Sequence, residues 1–399
     1  MKLLTKSAIV LAVLAALLSF VKFDHCRNFG WGTPDVYVHA CYSDLPALLV
    51  DRGMINHTWP YASLTNAVEY PPITGIVMWA TSFVVKNNFA QYRAYFDFNA
   101  LLIALIFIGA VLLLKRMKPE FWYLFPIAPA VIASLYINWD IWAVISALGA
   151  IHYFDRKKYW PSSILLGVSV ATKFFPIVLL LPIALIFFRR REIQTLVRYF
   201  ALTLATWLII NLPFMLTTPV GWFRFFKLNS ERGADWGSIW EALAIFGKGV
   251  NHLNLFSILL FLVGAAAYSI LFLRIKKIPT LAATSFFVVA IFVTASKVYS
   301  PQYIIWLTPL AVLALVDKRD RIDFWIWQGA ELTYHFAIWQ YLATVTGTHF
   351  AISGPAYAVA TLIRIAALFW FSARLMRKST PEIDPQTAAF LSSASSGYA

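Results

Sequence analysis

The chain has 399 residues, of which 60% are hydrophobic and 13% are charged, with a mean hydropathy of +0.69. Soluble domains are about half apolar and about one quarter charged, so this composition excludes an ordinary soluble protein and predicts a polytopic membrane protein. Lysine and arginine outnumber aspartate and glutamate by 33 to 19, a net charge of +14. The basic residues fall in short clusters between apolar runs, a pattern typical of membrane topology and not of nucleic-acid binding.

Residues 1–22 predict the first membrane helix. The segment begins with two lysines and continues as an apolar run, and no small-x-small cleavage site follows Leu18. We therefore expect an uncleaved helix whose basic end stays in the cytoplasm, so that the chain emerges outside from Lys22. Cys26 and Cys41, the two cysteines of the chain, lie in the loop that follows. They are too few for a disulfide scaffold or a zinc set, and either form one bridge or stay as thiols.

Six later clusters of basic residues mark the cytoplasmic side, because positively charged loops tend to stay there. The clusters are Lys115/Arg116/Lys118, Arg156/Lys157/Lys158, Arg189/Arg190/Arg191 with Arg198, Arg274/Lys276/Lys277, Lys318/Arg319/Arg321 and Arg374/Arg377/Lys378. Each interval between successive clusters holds enough apolar sequence for two passes of about 20 residues, and predicts a helical hairpin with an outward tip. The prediction is an all-α, polytopic domain over residues 1–378, with about twelve transmembrane helices.

Some apolar segments do not fit simple crossings. If "YPPITGIVMWATSFVV" (70–85) crossed the membrane, every later basic cluster would move outside, so a re-entrant or interfacial helix is predicted there. The intervals 160–172 and 174–188 are short and predict tilted or broken helices. The polar segment 379–399 lacks periodicity and predicts a disordered cytoplasmic tail.

Two predicted outer loops are long, at about residues 22–97 and 217–254. Both are rich in aromatic and charged residues, and long loops of this composition usually carry function. The functional site is therefore expected on the outer side of the membrane.

The first outer loop holds two candidate acids, Asp35 in "WGTPDVY" and Asp44 in "CYSDLPALLVDRG". One face of a short interfacial helix is predicted at residues 35, 38, 42 and 45. Either acid could act chemically, or it could be solvated or cap a local helix. Asp51 beside Arg52 is typical of an exposed turn.

Two lysines stand apart from the cytoplasmic clusters, Lys173 in "ATKFFP" and Lys297 in "SKVYSP". Each follows a small residue and precedes an aromatic residue and a proline at the predicted outer end of a hairpin. An ionised lysine at bilayer depth costs about 3 kcal/mol, so such residues usually pair or line a wet cavity. The two side chains either reach the outer headgroups or converge on an anionic group at the outer face.

Other polar residues are assigned to structure. Asp140 in "INWDIW" is predicted to be local structure, and the cations of the second loop predict an interfacial amphipathic stretch that could also hold a lipid-linked substrate. Those residues are Arg224, Lys227 and Arg232, with Trp222, Trp236 and Trp240. The chain has no His/Cys metal spacing, phosphate-binding loop or dinucleotide motif, so no metal and no cofactor is predicted.

The motifs resemble the actinobacterial glycosyltransferase 87 family, which has the C-type fold of integral-membrane glycosyltransferases with a large first extracytoplasmic loop. The resemblance runs from about Trp31 to Leu310 and rests on loosely spaced motifs: "CYSDLPALLVDRG", "PY" at 60–61, "EYPPITG" at 69–75, "TKFFP" and "SKVYSPQYIIWLTPL". That family includes polyprenol-phosphate-mannose-dependent α-1,2-mannosyltransferases. The resemblance implies transfer of a glycosyl residue, a mannosyl residue in those relatives, from a polyprenyl-phosphate donor to a lipid-linked or cell-envelope glycan acceptor. It also implies a bacterial plasma-membrane location with an extracytoplasmic active site.

The resemblance places the family's catalytic acid in the first outer loop, where it matches Asp44, with Asp35 as the competitor. A phosphate leaving group is already a stable anion, so one base suffices and its developing charge needs cationic donors. The chemistry assigns the following residues: Lys173, Lys297 and Arg52 to the donor phosphate, and Glu69, Tyr70, Tyr299 and Gln302 to substrate positioning.

Two other functional classes stay open at this point. The echo between "TKFFP" and "SKVYSP" could be a trace of the internal repeats of a transporter or lipid flippase, whose charges would bind a substrate in transit. Flippase sites lie near the bilayer midplane, whereas these charges gather on one side. A non-catalytic membrane scaffold would not need an acid near converging lysines.

Overall fold

The computed structural model of the protein describes residues 2–64, 67–85, 91–349 and 351–379. Within these ranges the chain forms nineteen α-helices, joined by loops and short 3₁₀ helices, and contains no β-strand. The all-α architecture predicted from the composition is confirmed. All of the predicted polar tail except Ser379 lies outside the described residues.

Long helices form the frame of the molecule. Six of them reach the length of about 20 residues that a bilayer crossing requires. They are α1 (Lys2–Lys22), α6 (Gln91–Met117), α12 (Ile193–Thr217), α15 (Leu253–Arg274), α18 (Asp320–Val345) and α19 (Gly354–Ser379). Among the described residues, four helices are also apolar enough to cross a membrane, namely α6, α12, α15 and α19. The chain is a multi-pass membrane protein, and the count of about twelve spans stays a prediction.

Shorter helices fill the space between the long ones. They are α7 (Leu124–Ile127), α8 (Pro129–Ser134), α9 (Asp140–Asp155), α10 (Tyr159–Thr172), α11 (Leu180–Arg190), α13 (Pro219–Glu231), α14 (Ile239–Ile245), α16 (Leu281–Ala295) and α17 (Ile304–Ala314). Every residue of α17 is buried, and so is nearly every residue of α16. A helix that is apolar all round belongs in a core, so α16 and α17 form the centre of the bundle.

The chain breaks between α10 and α11, that is, between the intervals 160–172 and 174–188, each of which was predicted to be a tilted or broken helix; α10 itself is continuous. Helix α10 ends at Thr172, and Lys173 is extended, with φ −142° and ψ 144°. A 3₁₀ helix, Phe175–Leu179, then leads into α11. The Thr74 hydroxyl of the outer loop donates to the Thr172 carbonyl at 2.6 Å, which ties the loop to the end of α10.

The described part of the first outer loop contains four short α-helices. They are α2 (Asp24–Phe29), α3 (Asp35–Val38), α4 (Asp44–Asp51) and α5 (Pro72–Ser82). The prediction of one helical face at residues 35, 38, 42 and 45 is wrong, because α3 ends at Val38 and α4 begins only at Asp44. The eleven residues of α5 span about 16 Å, too short for a crossing and consistent with the predicted re-entrant or interfacial segment. Cys26 and Cys41 form a disulfide that joins α2 to the segment before α4.

Basic clusters that were predicted to share the cytoplasmic side meet in space. The Arg189 guanidinium at the end of α11 donates to the carbonyls of Phe272 and Ile275 at 2.9 Å, at the end of α15. The Lys378 ammonium at the end of α19 pairs with Asp317 at 3.0 Å, beside the cluster at 318–321. These contacts are what the predicted topology requires, while the side of the membrane on which they lie stays a prediction.

Candidate functional site

A cavity of about 830 Å³ lies between the first outer loop and the ends of several core helices. Its walls come from α4, from the segment before α9, from the break after α10 and from the segment after α16. Seven of the nine predicted site residues line it: Asp44, Arg52, Glu69, Tyr70, Lys173, Lys297 and Gln302. The other two, Asp35 and Tyr299, do not.

Asp44 is held at the N-terminus of α4 by bonds to its neighbours. The Ser43 hydroxyl accepts the Leu45 N–H at 3.2 Å and itself donates to the Tyr136 carbonyl at 2.7 Å. The Asp44 backbone N–H donates to the Ile137 carbonyl at 2.8 Å. The position favours a carboxylate, because the positive end of the helix dipole lies there.

The Asp44 carboxylate accepts hydrogen bonds from two sides. The Tyr42 hydroxyl donates to Oδ1 at 2.9 Å, and the Asn138 amide donates to Oδ2 at 2.5 Å. The Tyr70 hydroxyl lies 3.5 Å from Oδ2. Burial raises the pKa of Asp44 from 3.8 to about 6, although the Tyr42 hydroxyl, the Lys173 charge and the Asn138 amide all oppose this rise. Asp44 is therefore a stronger base than an exposed carboxylate and is still ionised at neutral pH.

Lys173 lies beside this acid and is 8% exposed. Its ammonium donates to Asp140 Oδ1 at 2.6 Å and to Asn138 Oδ1 at 3.2 Å. It also lies 4.9 Å from the centre of the Tyr70 ring. An ammonium has three N–H donors, so two are used and one remains for a ligand in the cavity. Because Lys173 is the extended residue after α10, its side chain can reach the cavity from the helix end.

Asn138 connects the acid to the cation, since its amide donates to Asp44 and accepts from Lys173. Asp140 is fully buried, and Trp306 Nε1 also donates to its Oδ1, at 2.9 Å. Asp140 Oδ2 has no hydrogen-bond partner among the described residues. Sequence reasoning assigned Asp140 to local structure and did not consider Asn138. The only signal was the polar pair in the apolar stretch "INWDIW".

Arg52 and Glu69 form a two-bonded ion pair on the cavity wall. Arg52 Nε and Nη2 donate to the Glu69 carboxylate at 2.5 and 2.9 Å. The hydrogen bond to Glu69 is the largest cause of a raised Arg52 pKa. Arg52 is thus partly buried and paired, which differs from the exposed turn predicted for Asp51 and Arg52. Glu69 therefore neutralises the positive charge of Arg52, the residue that the sequence analysis assigned to the donor phosphate.

Lys297 lines the cavity, but its ammonium is already fully bonded. It donates to the carbonyls of Asn229 and Arg232 at 2.7 and 2.6 Å, and to Asn254 Oδ1 at 2.5 Å. These three bonds use all three N–H donors and hold the end of α13 to the start of α15. In this arrangement Lys297 orders the second outer loop and has no donor left for a phosphate.

Arg232 also lines the cavity, although the sequence analysis assigned it to an interfacial amphipathic stretch. Its Nε pairs with Asp235 at 3.0 Å, and its side chain is 36% exposed. The two terminal nitrogens of Arg232 have no hydrogen-bond partner among the described residues. A guanidinium binds phosphate through two donors at once, so Arg232 offers more free donor capacity than Lys297.

Gln302 and Tyr303 supply polar groups that the fold itself does not use. Gln302 is 7% exposed, and its amide has no partner among the described residues. The Tyr303 hydroxyl, also at the cavity, has none either. Both groups lie at the cavity with free hydrogen-bonding capacity, so a ligand there can bond them. Tyr299, by contrast, donates its hydroxyl to Glu331 at 2.8 Å in a buried network and does not line the cavity, so this geometry gives no support to its substrate contact, which stays a prediction.

Two groups of aromatic rings complete the walls, and sequence reasoning identified neither. Beside Asp44, the Tyr42 ring lies 5.7 Å from the ring of Tyr37 and 5.2 Å from that of Trp339. These three side chains form the tyrosine–tryptophan wall. The phenylalanine wall consists of Phe174, Phe225 and Phe226. The second wall also borders a small pocket reaching Trp207 of α12.

Asp35, the competitor for the catalytic role, is engaged elsewhere. Its carboxylate lies 2.7 Å from His25 Nε2 and 3.0 Å from His39 Nδ1. Its side chain is 44% exposed and does not line the cavity. The geometry therefore favours Asp44 over Asp35 as the acid that meets a substrate.

No model of a known protein family matches the chain, and no curated protein matches it. Among solved structures, the chain is similar to the crystal structure of ArnT from Cupriavidus metallidurans bound to undecaprenyl phosphate. The two share 14% sequence identity with a TM-score of 0.47, over 94% of this chain and 78% of ArnT. A likeness of this size identifies no family, so the function has to be inferred from the side chains of the cavity.

Proposed function

We propose that the protein is a C-type membrane glycosyltransferase that moves a hexosyl residue from a polyprenyl-phosphate donor to a hydroxyl group of an acceptor. The observation that carries the proposal is the linked set Asp44–Asn138–Lys173 on one cavity. It combines a carboxylate of raised pKa with a cation that keeps a free donor. Those are the two groups that transfer from a phosphate leaving group requires.

Asp44 acts as the general base. It takes the proton of the acceptor hydroxyl while the acceptor oxygen bonds to the anomeric carbon of the donor. The bond between that carbon and the phosphate oxygen breaks, and its electron pair leaves with the polyprenyl phosphate. A single displacement inverts the anomeric centre, so no covalent glycosyl-enzyme forms.

Lys173 stabilises the departing phosphate through its free N–H. Arg232 is the second cation we assign to this group, in place of Lys297, because two of its nitrogens have no partner among the described residues and all three donors of Lys297 are used. Arg52 and Glu69 stay at the cavity as a neutral pair, and orient the loop and the substrate hydroxyls.

The walls divide the two substrates. The phenylalanine wall lies toward α12, a candidate membrane helix, and offers an apolar path for the polyprenyl chain. The tyrosine–tryptophan wall lies beside Asp44, where ring faces can stack on an acceptor sugar. Gln302, Tyr303 and Tyr70 are left to bond the hydroxyls of the donor sugar.

Finer features of the proposal come from the resemblance to the glycosyltransferase 87 family. They are a mannosyl donor, a lipid-linked or cell-envelope glycan acceptor, a bacterial plasma-membrane location and an outward-facing cavity. The runner-up function is a transporter or flippase of a lipid-linked precursor, for which no contact in the described residues argues directly.

The test is an assay of purified protein in lipid nanodiscs with radiolabelled polyprenyl-phosphate mannose, glucose and arabinose, and a lipid extract as acceptor source. We expect labelled product from one donor, with inverted anomeric configuration, and none from the Asp44→Asn variant. Movement of a fluorescent polyprenyl phosphate across proteoliposomes without any product would favour the flippase and reject the transferase.

A further inference from the structure

A second cluster of reactive side chains lies outside the cavity, on α2 and α3 of the first outer loop. It consists of His25, Asp35 and His39, whose nearest nitrogen and oxygen atoms all lie within 4.8 Å of one another. We propose that these three side chains bind one divalent transition-metal cation of the zinc type. The inference is independent of the proposed transferase activity.

The separations between the donor atoms match neighbouring ligands of one metal ion. Two ligands about 2.1 Å from a zinc ion, at angles between 90° and the tetrahedral value, lie roughly 2.9–3.4 Å apart. Asp35 Oδ2 lies 2.7 Å from His25 Nε2, and Asp35 Oδ1 lies 3.0 Å from His39 Nδ1. The carboxylate thus presents one oxygen to each imidazole, and small side-chain rotations would bring all three groups to a common ion.

The fold brings the ligands together in advance. The Cys26–Cys41 disulfide closes a loop that contains Asp35 and His39, and His25 directly precedes Cys26 at one end of that loop. The two imidazole rings are already stacked, with centroids 3.4 Å apart. A site that is ordered before the ion arrives loses little conformational entropy on binding, and this raises its affinity.

The ligand set selects the class of cation. Two imidazoles with one carboxylate suit Zn²⁺ and its transition-metal neighbours, whereas Mg²⁺ and Ca²⁺ prefer oxygen ligands alone. The side chains of His25, Asp35 and His39 are 31%, 44% and 42% exposed, so the site is open to solvent and water can complete the shell. The ion would fasten α2 to α3. Sequence reasoning predicted no metal, because two histidines fourteen positions apart with one acid between them match no familiar metal motif.

The test uses full-length protein in detergent without a histidine tag, stripped with a chelator and then titrated with Zn²⁺ by calorimetry. We expect one equivalent to bind with a Kd on the order of 1 µM or below. His39→Phe keeps the ring stack but removes one ligand, and should weaken binding about tenfold or more. Asp35→Asn should do the same, and His57→Phe, which alters a histidine elsewhere in the same loop, should change nothing.

Two further measurements keep the outcome clear. Co²⁺ in place of Zn²⁺ should give visible d–d absorption in the wild type and lose it in His39→Phe. Zn²⁺ should raise the Tm of the wild type and of the His57→Phe control, but much less that of His39→Phe or Asp35→Asn. Equal Zn²⁺ affinity in wild type, His39→Phe and Asp35→Asn would overturn the proposal, as would the absence of stoichiometric binding. The Tm of each stripped variant shows that it is folded, so a misfolded variant cannot imitate lost ligation.

Discussion

Replacing Asp44 by asparagine separates catalysis from folding. The amide has nearly the same size, and the Tyr42 hydroxyl can rotate to accept from it where it now donates to the carboxylate. The amide cannot take a proton, so the acceptor hydroxyl loses its base. General-base catalysis contributes about 10²–10⁴-fold, so kcat should fall at least about a hundredfold, a rise of about 3 kcal/mol in the barrier. Donor KM should change little, because the phosphate is bound by other residues.

The same variant, although it loses activity, should be more stable than the wild type at neutral pH. The pKa of Asp44 is raised from 3.8 to about 6, mainly by burial, so the folded protein disfavours the ionised form at neutral pH by at most about 3 kcal/mol. Between the unfolded pKa of 3.8 and the folded pKa of about 6, the folded state binds more protons than the unfolded state. The stabilisation that protonated Asp44 contributes is therefore complete below this range and is lost as the pH rises through the folded pKa. Asp44→Asn removes the effect. Its Tm should equal that of wild type below pH 4 and exceed it above pH 6.

The assay follows labelled product as a function of pH. Wild-type kcat/KM should rise as the pH passes through about 6 and then level off, because the base must be ionised. Asp35→Asn is the matched control, since Asp35 lies in the same loop but away from the cavity. The reasoning is refuted if Asp44→Asn turns over near the wild-type rate, or if Asp35→Asn abolishes turnover while Asp44→Asn does not.

Three further predictions test the remaining assignments. Lys173→Met leaves Asp140 without its cation and should destabilise the fold by about 3–5 kcal/mol in thermal unfolding. Adding Asp140→Asn should restore most of the Tm but not the use of the donor. If donor use returns in the double variant, Lys173 does not bind the phosphate. Lys297→Met should lower the Tm, because its three bonds hold the second outer loop, but it should change the donor KM less than Arg232→Met does. A larger change in donor KM for Lys297→Met than for Arg232→Met would assign the phosphate to Lys297. With both native cysteines in a disulfide, an impermeant thiol reagent should label Lys248→Cys in intact cells and Glu120→Cys only after permeabilisation, and the opposite result would invert the topology.

The sequence was informative where one physical rule acts alone. The composition predicts a membrane protein. The cost of an unpaired cation in a bilayer predicts that Lys173 pairs with another group or lines a wet cavity. The end of α10 before Pro176 was expected because proline cannot continue a helix. Asp44 was chosen through the resemblance to the glycosyltransferase 87 family, because reasoning from the residues alone left a solvated or capping role equally open.

The sequence was uninformative where partners meet only in the folded chain. Nothing local distinguishes Lys173, with one free donor, from Lys297, whose donors are all used, because their motifs are alike and their partners lie 33 to 68 positions away. Asp140 looked structural for the same reason. Tyr299 sits one residue from the cavity wall and yet points to Glu331, since adjacent residues after a helix end need not face the same way.

The pairing of charges around Lys173 bears on how the proposed transferase would balance charge during turnover. The donor is a phosphodiester with one negative charge, and its product is a phosphate monoester that can carry two. If Asp44 takes the acceptor proton as the phosphate departs, the carboxylate loses the charge that the phosphate gains. The summed charge of the cavity then stays constant through the step, so the Lys173–Asp140 pair need not rearrange. Once the polyprenyl phosphate has left, a pKa of about 6 lets Asp44 release the proton at neutral pH before the next cycle.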